Sequence, residues 1–221
     1  MTEYRRYAIY DPGPEALADF GAEWLGWDTR RGCETRGLGG ALADSPRRYG
    51  FHATIKAPFR LAPGCSPLAL VAAFERVCAG LAPVAAQPGL QLRRIAGVLA
   101  LVFDPQPVAV GALAAAVVRG LDGFRAPLTP EERARRRPEL LTAAQRALLD
   151  RWGYPWVMEE FRYHMTLTGA LSSDAELGAR QRLAPLLAGL LPCPHPISAL
   201  ALMGEDGAGR FHLLHHADLR G

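Results

Sequence analysis

Two short stretches of this chain share a pattern able to do acid–base chemistry: an aromatic residue, a histidine, any residue and a threonine. The first reads Tyr49-Gly50-Phe51-His52-Ala53-Thr54-Ile55-Lys56 and the second Phe161-Arg162-Tyr163-His164-Met165-Thr166-Leu167-Thr168. Successive side chains of a strand point to opposite faces. His52, Thr54 and Lys56 are therefore expected on one face, with Phe51, Ala53 and Ile55 behind them. In the second copy His164, Thr166 and Thr168 share a face, backed by Tyr163, Met165 and Leu167. With 6 His and 8 Thr in 221 residues, composition alone predicts about 0.2 His-x-Thr pairs. Two copies in matching strand context are therefore a signal that one copy would not be.

Two imidazoles facing one cleft suit concerted proton transfer near neutral pH, because an ordinary pKa near 6.5 lets one be neutral while the other is charged. Hydroxyls beside them can donate to phosphoryl oxygens, and Lys56, the only lysine in the chain, would add a point charge. In-line displacement at a phosphodiester needs nucleophile and leaving oxygen on opposite sides of phosphorus, a requirement that two histidines related by a twofold axis satisfy. No carboxylate cluster or closely spaced histidine pair accompanies the motifs, so neither a metal nor any other cofactor is expected. His195, His212, His215 and His216 read as packed or surface residues.

The elements that must position these residues repeat as well. The first motif is followed by a helical run, Pro67 to Leu81, and then by strands 90–95 and 98–103 joined at Ala96-Gly97. The second is followed by a helix over 174–191 and strands 197–203 and 210–216, separated by a glycine-rich turn. Strand, helix, strand, strand thus occurs twice, as a duplication would leave it. A strand over 6–10, a helix over 14–27, an arginine-bearing loop over 29–48 and a helix over 107–121 complete the frame. Residues 129–152 read as a helical insertion whose cluster Arg133, Arg135, Arg136 and Arg137 is either an anion-binding lid or a solvated helix face.

Composition bounds the class. An apolar content of 49% with 21% charged residues is that of a folded soluble protein with a substantial core. Cys33, Cys65, Cys78 and Cys193 lack the paired spacing of a zinc site. The N-terminal residues carry no apolar leader and no window is long enough to span a membrane, so a cytoplasmic protein without a membrane partner is expected. A net charge of +3 admits an anionic substrate without requiring nucleic acid.

The doubled motif resembles that of the two-histidine (2H) phosphoesterase superfamily. Its neighbours, Ala57-Pro58-Phe59 after the first copy and Trp152-Gly153-Tyr154-Pro155 before the second, resemble the branch associated with phosphonate metabolism and carbon–phosphorus lyase genes. The resemblance covers nearly the whole chain. It implies an α+β fold with two pseudo-symmetric antiparallel-sheet lobes, about 45–105 and 155–218, within a single domain spanning 1–221. It also implies a central cleft with helices outside. His52 and His164 would be the acid and base, in either order, and Thr54 and Thr166 the phosphate binders. Lys56, Arg162, Tyr49 and Thr168 are further candidates for the substrate. The implied activity is metal-independent hydrolysis of a cyclic phosphodiester, with a ribose cyclic phosphate as the attractive substrate. The partner would be a small phosphorylated metabolite or nucleotide. The alternatives are an enzyme of RNA ends and a non-catalytic sensor of a phosphorylated metabolite.

Overall fold

The computed structural model describes residues 4–221; Met1, Thr2 and Glu3, part of the stretch read above for a leader, lie outside the described residues. The first half runs β1 (Arg6–Asp11), α1 (Glu15–Leu25), β2 (Trp27–Asp28), β3 (Cys33–Glu34), α2 (Asp44–Arg47), β4 (Ala53–Phe59), α3 (Pro67–Ala79), β5 (Val84–Ala86), β6 (Gln91–Ile95) and β7 (Val98–Val102). The second half runs α4 (Val108–Gly120), α5 (Pro130–Ala134), α6 (Ala143–Trp152), β8 (His164–Thr166), α7 (Ser173–Leu187), β9 (His195–Ile197), β10 (Ala199–Glu205) and β11 (Phe211–Asp218). The α+β class and its antiparallel pairing are those expected.

Local chemistry explains the boundaries. Ser66 caps α3 by accepting from the Ala69 amide, and Gly26 closes α1 in the left-handed region, where a missing Cβ removes the steric cost. Ala96 and Gly97 both have positive φ, as a two-residue turn between twisted strands requires. The insertion over 129–152 is not one helix. Pro138 follows Arg137, which sits at φ 51°, and splits it into α5 and α6, because a proline ring cannot continue a helix and constrains the residue before it. Each piece opens with its own capping box, Thr129 with Glu132 and Thr142 with Gln145.

Seven strands form one antiparallel sheet in the order β11-β10-β1-β4-β8-β7-β6, and β2-β3 and β5-β9 form two small ribbons. The two halves of the chain interleave. Hairpin β6–β7 from the first half pairs with β8, which carries the second motif, while β10–β11 from the second half lies beside β1 and β4 on the side of the first motif. The stretches 45–105 and 155–218 thus exchange motif strands. The two sides meet where Ala53 of β4 pairs with Met165 of β8.

One continuous apolar layer backs the sheet. Ile9, Ala53, Ile55, Leu99, Leu101 and Met165 pack with residues of α1, α3, α4 and α7. Trp24 of α1 is fully buried and donates its indole N–H to the Leu167 carbonyl at 2.7 Å, which ties that helix to the end of β8. A smaller cluster, Ala8, Tyr10, Ala201, Met203 and Phe211, occupies a separate position on β1, β10 and β11.

Phe51, the residue before the first histidine, packs so closely on α1 that a Cβ at Gly21 would lie 2.0 Å from its ring. Gly21→Ala is therefore expected to cost about 1–3 kcal/mol through overpacking, read as a lowered midpoint in thermal or denaturant unfolding. An unchanged midpoint would show that Phe51 is free to move.

Candidate active site

The register of β4 against β8 builds the site. Because Ala53 faces Met165 in an antiparallel pair, continuing the register by one residue each way sets His52 across from Thr166 and Thr54 across from His164. Directly opposed side chains have Cβ atoms about 4.5–5.5 Å apart. Ala53 and Met165 are fully buried on the core side, while His52, Thr54, His164 and Thr166 are half-buried on the other. Each histidine thus has the other motif's threonine as its neighbour, with the two imidazoles on a diagonal.

Both rings hang from the backbone in the same way. Nδ1 of His52 lies 3.0 Å from the Gly50 carbonyl and Nδ1 of His164 lies 2.8 Å from the Arg162 carbonyl, in each case two residues upstream. A carbonyl only accepts, so in the neutral ring Nδ1 carries the proton and Nε2 is bare. Nε2 of His52 lies 3.0 Å from the Thr54 hydroxyl, which then donates to it. Gly50 has φ 72° and a Cβ there would fall 2.2 Å from Thr29 Cγ2, so glycine is needed to aim that carbonyl. Tyr10 completes the setting by stacking on His52, with ring centroids 3.5 Å apart and planes 11° from parallel. Burial against this ring, then the nearby His164, push the His52 imidazole down to about 3, although the bond to Gly50 works the other way. His52 is consequently neutral at physiological pH.

Two joined cavities give access. One, of about 290 Å³, holds His52, Thr54, Thr166 and Tyr49 together with Arg6, Arg136 and Tyr154. The other, of about 490 Å³, holds His164, Arg162 and Trp156. They share Thr54, Ala57, Val98 and Tyr154 as a common wall. Trp156 is 44% exposed beside His164, and Trp152 packs in the cluster of Val118, Leu148 and Val157.

The remaining candidates divide. Arg162 lines the His164 cavity and Tyr49 the His52 cavity. Lys56 does not join them. Tyr10 pairs with Thr54 but Ile9 pairs with Lys56, so β4 gains one residue over β1 at Ile55, and this bulge resets the alternation. Lys56 is turned inward, 3% exposed, with Nζ 3.3 Å from both the Val118 carbonyl and Asp122. Desolvation lowers its ammonium to about 8, opposed by Asp122. Thr168 lines the His52 cavity, but its hydroxyl is already engaged there. β8 ends at Thr166, and the fully buried Thr168 hydroxyl accepts from the Leu99 amide and donates to the Gly169 carbonyl.

Sequence reasoning missed Tyr10 and Arg6. The alternation of β1 places them on one face, but nothing local says that β1 lies against the first motif. It also missed a buried network behind the site, in which the Tyr163 hydroxyl donates to Asp11 at 2.7 Å and lies 3.5 Å from His195 Nε2. Burial raises the Asp11 carboxyl to about 6 despite bonds from Tyr163 and Gly13. His212 and His215 pair with Asp206 and Glu75. Among the described residues no group of three or more His, Cys, Asp or Glu side chains gathers in a way that could hold a metal ion, and no helix is long and apolar enough to cross a membrane.

A family model described as "Protein of unknown function (DUF1045)" matches residues 54–212. Two curated relatives carry the name ribose 1,5-bisphosphate phosphokinase PhnN. The relative from Janthinobacterium sp. (strain Marseille) is 37% identical over 92% of this chain and 48% of its own length. The one from Laribacter hongkongensis (strain HLHK9) is 33% identical over 92% of this chain and 49% of its own. The chain therefore spans about half the length of these relatives. Among solved structures, one titled a phosphoesterase aligns over 99% of this chain and 100% of its own at 15% identity and a TM-score of 0.48. E. coli LigT complexed with NADP+ aligns over the same shares at 14% identity and a TM-score of 0.47.

The desolvated His52 ring gives stability a pH signature. A His whose pKa is depressed in the folded state contributes stability that is present above its unfolded value, here 6.5, and lost as pH falls through the folded value. His195, lowered to about 4 by burial, adds in the same sense, and Asp11, raised from 3.8 to about 6, acts in the opposite one. His52→Gln is expected to lose less stability than the wild type between pH 6.5 and pH 4, read from midpoints of unfolding across that window. Parallel curves would contradict the placement of His52 against Tyr10.

Proposed function

The chain belongs to the DUF1045 family, and we propose that it hydrolyses a cyclic phosphodiester of a small phosphorylated sugar by a two-histidine mechanism that uses no metal ion. The observation that supports this most is the pair of imidazoles on adjacent strands, each held by Nδ1 with its Nε2 available to the cleft, beside two threonine hydroxyls. Binding alone requires no acid–base pair. Hydrolysis of a strained ring requires one, since water must lose a proton as the ester oxygen gains one.

The two histidines differ enough to suggest roles. His52, kept neutral by burial against Tyr10, is the base, and its Nε2 takes a proton from the attacking water. His164, on the larger cavity, is the acid, and its protonated Nε2 gives a proton to the departing ester oxygen. The new P–O bond forms as the ring P–O bond breaks, leaving a phosphomonoester and a free hydroxyl. Thr54 turns its hydroxyl from His52 to a non-bridging oxygen, and Thr166 donates from the other strand, so both hydrogen bonds strengthen as charge develops.

The relatives' names refer to a ribose bisphosphate, which favours a ribose cyclic phosphate over an RNA end, in keeping with the resemblance to the branch associated with phosphonate metabolism. The kinase activity in those names is not carried over. The chain contains no Gly-Lys-Ser or Gly-Lys-Thr sequence of the kind that cradles nucleotide phosphates in a P-loop.

Phosphorus NMR of the protein in EDTA with ribose 1,2-cyclic phosphate 5-phosphate, a 2′,3′-cyclic nucleotide and a cyclic-phosphate-ended oligonucleotide tests the proposal. Loss of the strained-ring signal from the sugar phosphate is the expected result, and His52→Ala and His164→Ala should each lower turnover by about 10²–10⁴-fold. Wild-type rates in either variant, or activity abolished by EDTA, would overturn it.

A further inference from the structure

We propose that the arginine-lined chamber adjoining the histidine cleft is a second anion subsite, which selects a cyclic phosphate bearing another phosphate group at its far end. This rests on the reading of the histidine site given above. The chamber, of about 480 Å³, shares Arg6, Tyr49, Arg136 and Tyr154 with the His52 cavity. The two cavities are therefore neighbours with a common wall.

The charge of the chamber is not balanced. Arg6 is held by Glu205 at 2.6 Å, Arg60 by Glu132 at 2.9 Å, and Arg125 and Lys56 share Asp122. Among the described residues Arg48 and Arg136, like Arg5 and Arg135 of the same chamber, form no ion pair with a carboxylate, but Arg48 and Arg136 are also held in place. Each lies over a tyrosine, Arg48 4.7 Å from the Tyr49 ring centre and Arg136 4.8 Å from that of Tyr154. Arg48 also donates to the Tyr49 hydroxyl at 2.6 Å. These are the two tyrosines that stand between the chamber and the histidines. Guanidinium groups stacked in this way keep edge N–H donors for the paired oxygens of a phosphate, and the ring restricts their motion beforehand.

The neighbouring arginines show that this is not a uniformly solvated helix face. Arg133 pairs with Asp150 and Arg137 contacts Glu139. The chain leaves α5 at Arg135 and breaks at Arg137, and Arg136 is the member of the cluster stacked on a tyrosine of the histidine cleft. The same break that splits the insertion thus delivers an unpaired cation to the cleft wall.

Titration calorimetry with a pentose bisphosphate and the matching monophosphate tests the subsite independently of catalysis. The wild type is expected to bind the bisphosphate at least about tenfold more tightly. In Arg48→Gln/Arg136→Gln that ratio should fall towards one, and the exposed single variant Arg48→Gln should narrow it if the double variant folds poorly. Equal affinities in the wild type, or an unchanged ratio in the variants, would overturn the subsite. A preserved ratio in a protein that turns over no cyclic ester would leave the subsite standing and refute the catalytic reading. Turnover without any preference for the second phosphate would do the reverse.

Discussion

Everything at this site depends on the contact between β4 and β8. A single register pair, Ala53 with Met165, decides that both imidazoles and both hydroxyls emerge on the same face. A slip of one residue in either strand would send one histidine into the apolar layer, where an imidazole lacks partners. The constraint is backed by bulk: Phe51, Tyr163 and Leu167 are buried behind the motifs, and Trp24 fastens the end of β8 to α1. The aromatic residues flanking the motifs hold the register.

The interleaved strand order adds a second constraint. Hairpin β6–β7 braces the second motif, and β1 with β10–β11 braces the first, so neither half of the sequence can complete its own side. β1 contributes Tyr10 to the ring stack on His52, and Asp11, next in sequence, accepts from Tyr163, the residue before His164. Two adjacent residues of one strand thus touch both motifs, one in the cleft and one behind it.

Much of this was legible from the residues alone. The two motifs, their strand character and the repeating element order follow from hydrophobic period and punctuation, and the α+β class follows from them. The departures have local physical causes. Strict alternation puts Lys56 on the histidine face, but the bulge at Ile55 interrupts it; β8 stops at Thr166, short of the strand expected, although Thr168 still lines the His52 cavity. The insertion over 129–152 reads as helical by composition, yet Pro138 divides it. Tyr10, Arg6 and the Asp11–Tyr163–His195 network depend on strands distant in sequence, and no local pattern carries such pairings. Arg136 stood within a recognised basic cluster, but its inward placement depends on the turn at Arg137.

One strand contact presents two imidazoles as a pair, each with a bare Nε2 facing a shared cleft. The most direct measurement is nitrogen-15 NMR of the histidine rings above pH 8, with and without a ribonucleoside 2′-monophosphate. His52 and His164 are both expected to carry their proton on Nδ1, and both Nε2 signals are expected to move together as the phosphate binds. A proton on Nε2 of either ring, or a response from one histidine alone, would contradict this arrangement.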